Sequence, residues 1–111
     1  FSRKLTESKA RSTARNRSLT SKDERKQFED IWQQAKGEFQ FNDERGVMAD
    51  LHDILERGIG YHHAGMLPQQ KEIVERLFSK ALIKLLYTTE TFAMGVHKVH
   101  FVKNHHANIC Q

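Results

Sequence analysis

The sequence predicts an α/β fold, and three observations lead to that prediction. Segments with apolar residues at helical spacing alternate with short apolar runs rich in strand-forming residues. After position 58 the order is strand, helix, strand, which implies parallel pairing because parallel strands need a long crossover connection. The 111 residues are enough for one modest domain. We therefore predict a short parallel sheet flanked by helices.

Two helices are predicted in the first third of the chain. Residues 5–16 contain helix formers and predict a helix, but their apolar positions are too few for a convincing buried stripe. Residues 20–36 predict an amphipathic helix that ends near Gly37, with Trp32 in the core. Its apolar positions fall at i, i+3, i+4 and i+7: Phe28, Ile31, Trp32 and Ala35.

A loop and a third helix follow. Residues 38–46 combine Gly and Asn with acidic groups and predict a loop, from which Phe39 and Phe41 pack back against another part of the chain. Residues 47–57 predict a helix, and Gly58 stands where a left-handed helix cap is expected.

The remaining elements form the strand, helix, strand unit. Residues 59–61 predict a strand, and Pro68 marks a helix start. Strands are predicted at 83–87 and 99–102, with a turn and a short helical segment over 88–94 between them. Glu72 and Arg76 are paired at i, i+4 on the helix, whose apolar positions are Ile73, Val74, Leu77, Phe78 and Ala81.

Composition narrows the function classes. No stretch approaches the roughly 20 apolar residues that span a bilayer, and no signal-peptide core follows Phe1. We therefore expect a soluble, cytoplasmic protein without a membrane partner. The single Cys110 excludes an internal disulfide and a site with paired thiolates. A first residue that is Phe rather than Met suggests that the chain was cut from a longer one.

Positive charge is concentrated at the start of the chain. Residues 1–17 have a net charge of +5, whereas the other residues sum to -1. A basic end of this kind can attract a polyanion such as nucleic acid. A solvated helix face explains the charge equally well.

Ligand-binding residues are expected in the loops that follow the strands, because open parallel sheets bind ligands there. The loop from Tyr61 to Pro68 leads into a helix start, where free backbone N–H groups can hold a phosphate. Residues 88–95 follow the next strand and are rich in hydroxyl groups that can bind phosphate oxygens.

Three motifs stand in order along the chain. They are Phe1-Ser2-Arg3, then His62-His63-Ala64-Gly65 before the helix Lys71 to Phe78, then Thr89-Glu90-Thr91-Phe92-Ala93-Met94-Gly95-Val96. At these residues the sequence resembles the superfamily 2 DExH-box RNA helicases of the superkiller and exosome-cofactor type. The resemblance implies that residues 1–96 are part of a second RecA-like, or helicase C-terminal, domain, followed by a divergent His-rich tail over 97–111.

The resemblance implies a motor in which two RecA-like domains close on ATP, Mg²⁺ and single-stranded RNA. The missing first domain is then the partner of this chain, and DNA is not excluded as substrate because related DNA helicases share these loops. The implied nucleic-acid contacts are Ser2, Arg3, His63, Gly65, Thr89 and Thr91. Two further positions, Gly95 and His97, are implied to face the nucleotide.

Departures from the family pattern limit this expectation. His97-Lys98-Val99 replaces the usual Asn-Met-Pro, and the arginine-rich final motif, the phosphate-binding loop and the acidic magnesium motif are absent from the sequence. We therefore expect no ATP hydrolysis and no bound cofactor for this chain alone, and we assign no catalytic residue.

Plainer explanations stand beside the functional ones. His62 and His63 are also typical of a strand-end pair with one buried, hydrogen-bonded ring, and the threonines are typical of strand ends and helix caps. The alternative function is a noncatalytic module that binds RNA or a metal through the basic start and the tail. The spacing H-x2-H-x4-H-H-x3-C in the tail does not match common zinc sites, so we assign no metal ligand.

Overall fold

The chain folds as helices packed around a parallel sheet, as expected from its α/β pattern. A computed structural model describes residues 2–89 and the backbone of residues 100–102. The elements in these ranges are α1 (Arg3–Asn16), α2 (Lys22–Phe39), α3 (Val47–Leu55), β1 (Ile59–His62), α4 (Pro68–Ser79), β2 (Leu85–Thr88) and β3 (His100–Val102). The strands form one sheet in the order β1-β2-β3, with both pairs parallel.

The ends of the first two helices differ from the predicted ones. Helix α1 begins earlier than expected, because the side chain of Ser2 accepts a hydrogen bond from the N–H of Leu5 and caps the helix. The predicted end of α2 near Gly37 was wrong. The helix continues to Phe39, and Gln40 takes the left-handed conformation at its C-terminal end, with φ 55°.

The boundaries of the later elements agree more closely with those predicted from the sequence. Gly58 has a φ of 81°, as predicted for a left-handed residue after α3. Pro68 is the first residue of α4. Strand β2 begins two residues later than expected, at Leu85, the register partner of Ile59. Most of the predicted 88–94 segment lies outside the described residues.

Helices cover both faces of the sheet. Alternate residues of a strand point to opposite faces, and the contacts follow this rule. Tyr61 and Tyr87 are register partners, and the hydroxyl of Tyr87 lies 2.7 Å from the hydroxyl of Thr13 on α1. On the other face, Nε2 of His62 lies 2.9 Å from Oε2 of Glu75 on α4.

The core lies between the sheet and these helices and centres on large apolar side chains. Trp32 is fully buried, as predicted, and Phe39 and Phe41 pack against the core, also as predicted. The indole N–H of Trp32 donates to Oδ2 of Asp43 at 2.8 Å. Lys36 and then Trp32 hold the pKa of Asp43 below its usual value. None of the described helices is long and apolar enough to cross a membrane.

Candidate nucleic-acid interface

The two histidines at the end of β1 face opposite sides of the sheet. His62 contacts Glu75 of α4, whereas Nε2 of His63 lies 2.6 Å from Oε2 of Glu7 on α1. Both histidines are buried. The plain explanation from the sequence, in which one of the pair is buried and hydrogen-bonded, therefore holds for both rings.

The ring of His63 is held on three sides. Its Nδ1 accepts a hydrogen bond from the N–H of Gly65 at 3.1 Å. This bond leaves the ring proton on Nε2, which donates to the carboxylate of Glu7. The ring of Tyr61 stacks on it with centroids 6.0 Å apart, and burial, the largest cause, raises the pKa of Tyr61 to about 12. The histidine thus fixes the loop after β1 to α1.

Gly65 brings the start of α1 against this loop. A Cβ atom at Gly65 would lie 3.2 Å from Nδ1 of His63 and 3.3 Å from Nη1 of Arg3. A side chain at this position would therefore push against both groups. The guanidinium of Arg3 lies on the backbone of the loop and remains exposed to solvent, next to Ser2, which caps α1.

Thr89 completes the group from the neighbouring strand. Thr88, the last residue of β2, is the register partner of His62, so Thr89 follows at the same end of the sheet as His63. It is half-buried. We call the surface formed by Ser2, Arg3, His63, Gly65 and Thr89 the strand-end edge. The other predicted positions, Thr91, Gly95 and His97, lie outside the described residues.

Two helices begin at the strand-end edge. The first turn of a helix carries N–H groups without helical partners and the positive end of the helix dipole. At α4, Oε1 of Gln70 accepts the N–H of Leu67 at 2.9 Å, which fixes the start of the helix. Together with Arg3, these helix starts make the edge suited to negatively charged groups.

The basic residues in α1 and directly after it are partly neutralised within the fold. Arg11 pairs with Glu7 at 3.2 Å, while Arg15 and Arg17 are exposed. A cavity of about 270 Å³ between α1 and α3 is lined by Arg11, Arg15 and Arg57, but also by Asp50 and Asp53. These carboxylates offset the positive charge of the cavity, which therefore carries mixed charge.

Glu7 is the part of this arrangement that sequence reasoning missed. In the sequence it is one acidic residue in a basic segment, whereas in the structure it holds His63 and Arg11 together. Its i, i+4 spacing to Arg11 was the available signal. Nothing in the sequence points to His63, which lies 56 positions away.

Comparisons with known proteins identify relatives of this chain. The chain is 60% identical over 47 residues, 42% of its length, to Superkiller complex protein 2 of Homo sapiens. It is 61% identical over 44 residues, 40% of its length, to Exosome RNA helicase MTR4 of Homo sapiens. It is 41% identical over 80 residues, 71% of its length, to the DExH-box ATP-dependent RNA helicase DExH9 of Arabidopsis thaliana.

These relatives are much longer than the chain. The aligned residues make up 4% of the two human proteins and 8% of the Arabidopsis protein. No protein-family profile matches the chain. The chain therefore has homologues among DExH-box RNA helicases of the Superkiller 2 and MTR4 type, which agrees with the resemblance read from its motifs over part of the sequence.

Proposed function

We propose that this chain is part of the second RecA-like domain of an ATP-dependent RNA helicase, and that the strand-end edge binds the backbone of single-stranded RNA. One observation carries the proposal. Three segments far apart in sequence, at the start of α1, after β1 and after β2, meet at the carboxyl ends of parallel strands. Two of the relatives are named as RNA helicases, which supports RNA as the ligand.

The residues of the edge have separate roles in this proposal, and Ser2 caps α1 beside Arg3. Arg3 supplies a positive charge, and the hydroxyl of Thr89 and the first N–H groups of α4 supply hydrogen bonds to phosphate oxygens. His63 keeps the loop in place, because both of its ring nitrogens are already hydrogen-bonded. Gly65 lets the side chain of Arg3 lie close to the loop, because a Cβ there would push against it. Thr91, which the sequence resemblance implies as a further contact, would bind the same RNA strand.

ATP and Mg²⁺ belong to the complete enzyme in this proposal. Gly95 and His97 would face the nucleotide in the cleft with the first RecA-like domain. The sequence has no phosphate-binding loop, so we expect the chain alone to bind RNA without hydrolysing ATP.

A binding titration tests the proposal. The chain is titrated into labelled single-stranded RNA at two salt concentrations, with DNA of the same sequence in parallel and ATP hydrolysis measured in each sample. We expect RNA binding that weakens with salt and no hydrolysis. Arg3→Gln and Thr89→Ala should each weaken binding about threefold to tenfold through the lost contact.

The matched control is Lys80→Gln. Lys80 is exposed and lies at the opposite end of α4 from the strand-end edge. The Lys80→Gln substitution therefore removes one positive charge, as Arg3→Gln does, without changing the edge. Equal losses of RNA affinity in Arg3→Gln and Lys80→Gln would show that binding depends only on net charge and would contradict the proposal. If RNA affinity falls only when Arg15 and Arg17 are replaced, the alternative function is favoured, in which a noncatalytic module binds RNA through the basic segment.

A further inference from the structure

A histidine and two glutamates converge where α2 packs on α3, close to the start of β1. Oε1 of Glu29 lies 2.8 Å from Nε2 of His52, and Oε2 of Glu56 lies 3.7 Å from Nδ1 of the same ring. One ligand atom from each of the three residues lies within 4.8 Å of the others. The strand-end edge does not include any of them.

The helices place these groups on a common side. His52 and Glu56 are four residues apart at the end of α3, and residues at this spacing lie on one helix face. A helical pair of ligands at i, i+4 can hold one metal ion. Glu29 approaches from α2, so the three side chains come from two helices.

The supporting contacts orient the ligands. The His52 ring is packed edge-on against Phe28 and Trp32, each with centroids 5.0 Å away. Oε2 of Glu29 accepts a hydrogen bond from Gln33 at 2.8 Å, which leaves Oε1 directed at His52. On the other side of the ring, Oδ1 of Asp53 lies 3.8 Å from Nδ1. At this separation Asp53 makes no hydrogen bond to the ring and adds only negative charge beside it.

We propose that Glu29, His52 and Glu56 bind a divalent transition-metal ion, with Zn²⁺ as the representative. Imidazole nitrogen and carboxylate oxygen bind Zn²⁺ at about 2.0–2.2 Å, so ligand atoms around a tetrahedral ion stand about 3.4 Å apart. The ligand atoms of the three residues are between 2.8 Å and at most 4.8 Å apart, a range that includes this value. The Glu29 and Glu56 side chains are 44% and 37% exposed and can adjust their carboxylates.

The bound ion links α2 to α3. It replaces the hydrogen bond between Oε1 of Glu29 and Nε2 of His52, and water fills the remaining coordination position. An ion that binds the folded chain and not the unfolded chain raises the stability of the fold. The ion therefore cross-links α2 and α3 on the side of the core that contains Trp32.

Quenching of tryptophan fluorescence by Co²⁺ tests the site directly. Trp32 is the single tryptophan of the chain, and its ring centroid lies 5.0 Å from that of His52. An open-shell ion at His52 therefore quenches the emission. We expect saturable quenching by one Co²⁺, reversed by Zn²⁺, and a rise in melting temperature with Zn²⁺ alone.

Variants locate the bound ion. His52→Gln and Glu56→Gln should each weaken Co²⁺ binding about tenfold or more, since even supporting residues of metal sites contribute this much. The matched control is Asp30→Asn, which removes an exposed carboxylate beside Glu29 and should leave the affinity unchanged. A second control replaces the possible tail ligands His97, His100, His105, His106 and Cys110 and should also leave the affinity unchanged.

Two results would overturn the proposal. One is unchanged quenching in Glu56→Gln, a surface variant whose folding is checked by circular dichroism. The other is loss of quenching in the tail variant, which would place the ion in the His-rich tail.

Discussion

The Nε2 atom of His63 donates to the carboxylate of Glu7 across 2.6 Å, and this contact joins the loop after β1 to the first helix. The histidine side chain is 5% exposed and the glutamate side chain 29%. A charge-assisted hydrogen bond in such surroundings is stronger than one at the surface. It therefore fixes the position of the strand-end edge.

We predict that Glu7 and His63 are energetically coupled. In a double-mutant cycle with Glu7→Ala and His63→Gln, the coupling should be about 1–2 kcal/mol in the free energy of unfolding. Urea denaturation followed by tryptophan fluorescence measures it. Hydrogen exchange of the Gly65 amide should also speed up in both single variants, because its acceptor is His63.

Arg11→Ala is the control for this cycle. Its ion pair with Glu7 lies on the surface, with the arginine side chain 41% exposed, so its loss should cost under about 1 kcal/mol. It should leave the Gly65 amide protected. Additive effects of Glu7→Ala and His63→Gln would show that the contact does not couple α1 to the loop.

The ion pair between Glu24 and Lys84 predicts a pH-dependent contribution to stability. Nζ of Lys84 lies 2.6 Å from Oε2 of Glu24, and the lysine is the largest cause of a lowered Glu24 pKa. A carboxyl with a lowered pKa stabilises the fold above its unfolded-state pKa of about 4.3. This contribution is lost as pH falls through the folded-state pKa.

Glu24→Gln isolates the charge, because glutamine can keep the hydrogen bond to the N–H of Ser21 that glutamate makes. At neutral pH the wild type should be more stable by about 1 kcal/mol. Near about pH 2 the two proteins should have equal stability, because Glu24 is then protonated. Denaturation curves across this range measure the difference. In a Lys84→Gln background the difference at neutral pH should shrink, and an undiminished difference would assign the effect to another partner.

Features decided by local chemistry were predictable from the sequence. Pro68 starts α4, since a proline suits the first turn of a helix. Gly58 takes a positive φ after α3, where glycine is favoured. The burial of Trp32 followed from helical periodicity alone.

Features decided by tertiary contacts were not predictable. Helix α2 passes Gly37 because its last turn is held from outside. Arg76 of α4 donates to both carboxylate oxygens of Glu38, at 3.0 and 2.7 Å, and lies 5.2 Å from the centroid of the Phe39 ring. These contacts outweigh the unfavourable propensity of one glycine, which is about 1 kcal/mol. Likewise, no local signal pairs Glu7 with His63.

We predict that Asp43 stabilises the fold mainly as the acceptor of the Trp32 indole. Asp43→Ala leaves the buried N–H of Trp32 without its partner and should cost about 1–3 kcal/mol. Asp43→Asn keeps an acceptor oxygen and loses only the charge opposite Lys36. It should therefore cost clearly less, as measured by urea denaturation. Equal costs for the two variants would mean that the ion pair, and not the indole contact, carries the stabilisation.

Two glycines should respond in opposite ways to the same substitution. Gly58 has a φ of +81°, and a Cβ there would lie 2.9 Å from Cγ2 of Thr20. Gly58→Ala therefore adds both backbone strain and a clash, and we expect the free energy of unfolding to fall by more than about 1 kcal/mol.

Gly37 lies inside α2, and a Cβ there meets nothing within 4 Å. Gly37→Ala should stabilise the fold by about 0.5–1 kcal/mol. Thermal denaturation of the two variants beside the wild type checks both signs, and a destabilised Gly37→Ala would contradict the continuous helix through position 37.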